Sequence, residues 1–228
     1  MAVRAETDSS PRTRPRTRRP ERPAAQAKPR EAARRAREEL YREHILKAAE
    51  QVFAELGFEA AKVQDISRLA GLSMGSIYGL FPSKDALFGE IIARRGRELL
   101  DLARSVVETH DDPVAGLETL AATYTDYFYD HRDFLRMYIR TGASWALNPS
   151  YTGHQEALSE EIHELQRSIF ARGVERRAFI EEDPGYLAVL LSGIDQVHLA
   201  SWVAGGMQGS REQLRDRFLR IVRKTFLR

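Results

Sequence analysis

The chain contains no cysteine. That excludes a disulfide framework, a thiolate metal site and a cysteine nucleophile, and it accords with a reducing cytoplasm. No stretch approaches the ~18 uninterrupted apolar residues of a bilayer span, so no membrane partner is expected. The Arg-rich N-terminus lacks the apolar segment of a secretory signal, and its acidic residues and missing amphipathic period argue against a transit peptide. Strand-type alternation is absent over any useful length, and no internal repeat is present. Proline is scarce outside one end, because five of the nine prolines (Pro11, Pro15, Pro20, Pro23 and Pro29) fall within the first 30 residues.

What is present is a charge asymmetry. The 228 residues carry 35 Lys+Arg against 33 Asp+Glu, a formal +2. Residues 1–37 hold twelve basic groups and four acidic ones, or +8, so the remaining 191 residues carry −6. Large apolar side chains are almost missing from residues 1–30, which cannot offset their ordering entropy. The expectation is a disordered basic arm over 1–37 with an anionic partner at that end only. The other residues, in a chain 43% hydrophobic, suffice for one or two domains with a core.

The periodicity of that part is helical throughout, and the predicted fold class is all-α. Leu40, Tyr41, Ile45, Ala48, Ala49, Val52, Phe53 and Leu56 recur on one face, with Gly57 and Phe58 supplying a Schellman-type stop. Val63–Ala70 reads as a short helix ended by Gly71, and Ser73 caps a second through Leu80. Pro82 interrupts, and Ser83 caps a long helix to about Thr109. Further helices are expected over 113–129, 131–142, 152–177, 184–205 and 211–227.

The segment Val63–Phe81 is therefore helix, Gly-containing turn, helix. Two short helices meeting steeply leave the second protruding, with the width to enter the major groove of B-DNA. Around it stand Ala48-Ala49, Phe53, Gly57-Phe58, Asp65-Ile66, Ala70-Gly71-Leu72-Ser73, Gly75-Ser76-Ile77-Tyr78, Phe81-Pro82-Ser83-Lys84-Asp85 and Leu87. From Ile45 to Ile92 this pattern resembles the DNA-binding domain of TetR-family transcriptional regulators. The resemblance implies a three-helix DNA-binding domain over 38–88, then a helical ligand-binding and dimerisation domain over 89–228. It also implies a cytoplasmic, nucleoid-associated repressor, without cofactor, that a small ligand releases from its operator.

The resemblance places Gln64, Met74, Ser76, Tyr78 and Gly79 at the DNA face, with the N-cap Ser73 beside them. Gln64 suits a bidentate contact to adenine, Ser76 a base or phosphate, and Met74 and Gly79 apolar contact. Tyr78 and Lys84 suit phosphates, with packing and plain solvation as their competing roles. The chain departs from the family where Ala61-Lys62 replaces the usual threonine, so Lys62 inherits a phosphate contact. Ser67 stands where alanine is usual, and its hydroxyl is expected to bond back to a backbone carbonyl.

Other chemistries fit less well. Gly71-Leu72-Ser73-Met74-Gly75 matches G-x-S-x-G, and Asp195 and His198 follow in hydrolase order. That elbow needs a strand before its serine, whereas the preceding residues are helical in pattern. Asp195 and His198 are read instead as neighbours on a helix surface. The six histidines show no metal-ligand spacing, and His163-Glu164 and His131 with Asp133 are read as solvated polar groups. No catalytic residue and no metal is expected.

In the body, an aromatic cluster suggests a pocket for a largely apolar effector, lined by Tyr124, Tyr127, Phe128, Tyr138, Trp145, His198 and Trp202. Core packing is the competing role for each. Leu190, Gly193, Ile194, Val197 and Ser201, with the stripe Leu214, Phe218, Ile221, Val222 and Phe226, suggest a homodimer through the last two helices. A two-fold axis would set the reading helices about 34–36 Å apart or more on a near-palindromic operator. A DNA binder without ligand control is the alternative.

Overall fold

The computed structural model describes residues 29–142 and 153–228. The basic arm as far as residue 28 and Trp145 lie outside them. Nine helices are present among the described residues: α1 Pro29–Leu56, α2 Val63–Ala70, α3 Met74–Tyr78, α4 Lys84–Thr109, α5 Pro113–Asp130, α6 Arg132–Arg140, α7 Gly153–Glu175, α8 Pro184–Ala204 and α9 Arg211–Phe226. The described residues divide between Glu38 and Glu39 into two compact units.

Local chemistry sets most of the helix ends. Gly57 (φ 80°) adopts the left-handed conformation that ends α1, its N–H donating to the Phe53 carbonyl at 2.9 Å. Beyond it Phe58 packs on Phe53, ring centroids 5.6 Å apart. Gly71 (φ 62°) ends α2 in the same way. Side-chain oxygens of Ser73, Ser83, Asp112, Asp183 and Ser210 accept N–H bonds from the first turns of α3, α4, α5, α8 and α9. Lys62 has no oxygen to offer α2, and Asp65 partly compensates by accepting from the Lys62 N–H at 3.3 Å.

Ser67 differs from expectation. Its hydroxyl donates forward across the turn to the Leu72 carbonyl at 2.6 Å, not back along its own helix. The bond ties α2 to the entry of α3. Helix α3 is also shorter than expected: Pro82 disfavours helical geometry at Phe81, and Leu80 and Phe81 both fall back on the Ile77 carbonyl.

Two cores sit in the second unit. The first joins Ile45, Phe53, Ile66, Ile77, Phe81 and Leu87 to Phe128, Phe134, Leu135 and Tyr138, so α1–α4 and the α5–α6 corner share one apolar interior. The second gathers Leu117, Leu120, Phe170, Phe179, Leu187, Leu191, Phe218 and Val222. Gly173 makes room for the Phe179 ring, which would stand 2.0 Å from any Cβ placed there. The Ile180 N–H then reaches the Phe226 carbonyl at 2.9 Å, fastening the end of α9.

Helix α9 corrects the expected interface. Leu214, Phe218, Val222 and Phe226 are buried in their own subunit, because this stripe closes the second core; only Ile221 is partly exposed. Helix α8 keeps an outward apolar face, with Val197 70% exposed, Tyr186 58% exposed and Leu190 and Ile194 half-buried. Its length and mean hydropathy of 1.4 would suit a membrane span, yet its other face packs into the bundle, as a core helix does.

Candidate DNA-binding face and ligand cavity

The turn between α2 and α3 presents an exposed surface. Lys62 and Gln64 are exposed at the start of α2, and Ser73, Tyr78 (49%) and Gly79 are exposed along α3. The face is held from behind by Ile66 and Ile77, both fully buried. Ser76 is half-buried, its N–H capped by Ser73 Oγ at 3.1 Å and its hydroxyl 2.9 Å from the same oxygen. Met74 leans partly into the first core. At Gly79 a Cβ would stand 3.2 Å from the Gly75 carbonyl, a tight contact at the end of α3.

Lys84 is the clear departure. Its ammonium donates to the carbonyls of Phe58 at 2.6 Å and of Glu59 and Ala61 at 3.3 Å, and it lies 4.3 Å from the Phe58 ring centroid. Those bonds engage all three donors in closing the α1–α2 connection, which replaces the expected phosphate role with a structural one. Ser73 likewise spends its hydroxyl on the cap of α3, and helix α2, not a strand, precedes it. The elbow geometry of a hydrolase is therefore not built here.

Behind the first core lies a cavity of about 110 Å³, bounded by α4–α9. Of the residues expected to line it, Tyr124, Phe128 and Tyr138 do. Tyr127 does not: its hydroxyl donates to Glu98 Oε2 at 2.6 Å and its ring lies against His131. Trp202 stacks on Tyr129 and donates its indole N–H to the Gln208 carbonyl at 2.9 Å. His198 stacks on Phe218, 5.0 Å between centroids, outside the lining. Each of these three points from the same helices toward a different neighbour.

Several lining residues were missed in the sequence: Phe134, His163, Gln166, Ser192, Asp195 and Phe218. Asp195 and His198 are not surface neighbours, being only 5% and 6% exposed. His163 also faces the cavity instead of solvent, and burial lowers its pKa. The usable signal was register, since Asp195 falls in the buried stripe Ala188, Leu191, Leu199 and Trp202 of α8. Burial pushes the Asp195 carboxyl up to about 7 and, with help from the Arg217 charge, pushes His198 down to about 4. Burial, then the nearby Asp195, also raises the Tyr124 phenol. Gln166, beside the Tyr124 hydroxyl, pulls against that rise, and Asp195 Oδ1 has no hydrogen-bond partner among the described residues.

The α1–α3 region and the cavity are joined by an ion-pair network. Arg95 of α4 binds Glu50 of α1 through two bonds of 3.0 Å and Glu98 at 2.9 Å. The same guanidinium lies 5.8 Å from the centroid of Phe134, which lines the cavity.

Residues 45–91 match the sequence model of the family described as bacterial regulatory proteins, tetR family. The HTH-type transcriptional repressor KstR2 of Rhodococcus jostii is 30% identical over 138 residues, covering 60% of this chain and 67% of that protein. The chain belongs to the TetR family. Among solved structures, the ketosteroid transcriptional regulator KstR2 of Mycobacterium tuberculosis superposes with a TM-score of 0.69 at 21% identity, over 82% of this chain and 95% of its own. The transcriptional regulator FadR of Bacillus subtilis, solved with stearoyl-CoA, gives a TM-score of 0.63 at 16% identity, over 78% and 95%. Both likenesses are of fold. The chain spans 58–67% of the length of three curated relatives that it matches. No group of three His, Asp or Glu able to hold a metal occurs among the described residues.

Proposed function

We propose that this TetR-family chain is a transcriptional repressor that binds operator DNA as a two-fold dimer and releases it when a small, largely apolar ligand fills the cavity. The observation that carries this reading is Phe134, which lines the cavity and whose ring centroid lies 5.8 Å from the Arg95 guanidinium. A ligand that moves this ring acts on the pair Arg95–Glu50, and through it on the helix that packs behind α2 and α3. Gln64 reads a base edge, Tyr78 and Lys62 hold phosphates, and Ser76, Met74 and Gly79 line the same surface at closer range. The outward face of α8, around Val197, forms the centre of the dimer, and the exposed side of α9 borders it. The DNA-binding part ends within α4 near residue 88. The place of action is the cytoplasm, on the nucleoid.

The names of related proteins support a ligand, since one is a ketosteroid regulator and another was solved with an acyl-CoA. Selection of bound fragments from the genome that encodes the chain tests the reading. The expected product is a short near-palindromic site with half-sites about one helical turn apart or more. Recovery of DNA without any shared motif would overturn the repressor reading and leave only non-specific binding.

A further inference from the structure

The cavity has a polar end whose chemistry is one-sided. Asp195 is 5% exposed, lines the cavity, and offers an oxygen that nothing among the described residues meets. Beside it stand the Tyr124 hydroxyl and Gln166, whose carbonyl oxygen already accepts from Ser192 at 3.1 Å. Among the described residues no lysine or arginine lines the cavity, and no second carboxylate does. The rest of the wall is apolar and aromatic, including Ile92, Leu99, Phe128, Phe134 and Phe218.

Given the reading of this cavity as the effector site, we infer that its ligand is a monocation: an apolar, ring-bearing body with an ammonium-type head set against Asp195. A carboxyl buried without a donor is costly; a proton, a hydrogen-bond donor or a positive charge relieves it, and a group that brings both donor and charge does so most fully. A cationic head supplies both the charge and the N–H donors, whereas a hydroxyl supplies a donor alone. A carboxylate head would meet Asp195 with no compensating base.

Three probes share one body and differ in the head: phenethylamine, phenethyl alcohol and phenylacetate. They are titrated calorimetrically into the full chain at about pH 8, above the point where Asp195 ionises. The amine is expected to bind at least about tenfold more tightly than the alcohol, and phenylacetate most weakly. Asp195→Asn should bring amine and alcohol to within about threefold of each other. An alcohol or acid that binds the wild type as tightly as the amine overturns the inference, as does an Asp195→Asn variant that keeps the amine preference. Binding of none of the three overturns the effector-site reading itself and this inference with it.

A second measurement needs no variant. The amine-to-alcohol affinity ratio of the wild type should rise between about pH 6 and pH 8 as Asp195 ionises; a constant ratio counts against it. The other titratable groups facing the cavity are His163 on α7, Tyr124 on α5 and Tyr138 on α6, with His198 and Arg217 just outside. Burial lowers the pKa of His163 and pushes His198 down to about 4, and it raises the Tyr124 phenol, so each of these shifts runs away from this range.

Discussion

Arg95 grips Glu50 in a two-pronged pair, Nε and Nη2 each 3.0 Å from a carboxylate oxygen, and the side chains are only 17% and 11% exposed. Burial pushes the Glu50 carboxyl up against the pull of Arg95. Glu98 goes the other way: burial opposes its ionisation, but the Tyr127 hydroxyl, Arg95 and Arg94 outweigh it and lower its pKa. One guanidinium thus serves two carboxylates on α1 and α4. Arg95→Ala strands both and should cost about 3 kcal/mol in urea unfolding. Pairing Glu50→Leu with Arg95→Met should return most of that loss, because two apolar side chains leave no buried charge unpaired. A double variant as unstable as the single one would show that the pair contributes through more than its charge.

At the DNA face, Gln64→Ala should relax discrimination at one base pair per half-site by about 1–3 kcal/mol, with little effect on non-specific binding. Tyr78→Phe should weaken all sequences evenly. Competition gel shifts with single-base operator variants separate the two patterns. If Gln64→Ala weakened every sequence equally, Gln64 would be a backbone contact.

Lys84→Met should lower stability by about 1–2 kcal/mol by unbinding the Phe58, Glu59 and Ala61 carbonyls. The slope of log affinity against log salt should stay unchanged, since the ammonium is spent within the chain. A slope smaller by about one charge per subunit would restore Lys84 to the phosphate contacts.

Asp195 and His198 should pull stability in opposite directions with pH. The raised folded pKa of Asp195, about 7 against an ordinary 3.8, gives stability that is complete below about 4 and lost as pH rises through 7. The depressed value of His198, about 4 against 6.5, gives stability that is complete above about 6.5 and lost as pH falls through 4. In the wild type the two slopes offset each other. Asp195→Asn should therefore lose Tm on acidification more steeply than the wild type, and His198→Asn less steeply. Melts of the three proteins between about pH 4 and 7 check this, and parallel curves would contradict it.

Val197→Arg should give a monomer by sedimentation at micromolar concentration, with the fold intact by circular dichroism. The side chain is 70% exposed and central to the outward face of α8, and a two-fold axis would bring two copies of the new charge together. A variant that sediments like the wild type would move the interface off this face.

Much of the fold was legible because helix punctuation is local. Gly57, Gly71, Ser73, Ser83, Asp112-Pro113 and Asp183-Pro184 act on their own neighbours, and the helices begin and end within a few residues of where those signals stand. Direction was harder. The apolar stripe of α9 was visible, but a stripe does not say which body it faces, and this one closes its own core. Residue type misled at Asp195 and His198, where polar chemistry suggested a surface and the register of α8 buries both. Lys84 could not be resolved locally, since its three acceptors lie 23–26 residues earlier in the chain. In the cavity, Tyr124 and Phe128 were found one turn apart on the correct face of α5, while Tyr127 turns to Glu98 on α4.

Phe134 has a consequence that runs opposite to effector release. Its ring is shared by the cavity wall and by the Arg95 guanidinium. Coupling free energy has no preferred direction, so whatever factor a ligand takes from operator affinity, the operator must take from ligand affinity. A molecule resting on its operator is then a poorer receptor than one adrift in solution. Adding operator sites in a titration would make the protein appear less sensitive to the same ligand, though no residue of the cavity had changed.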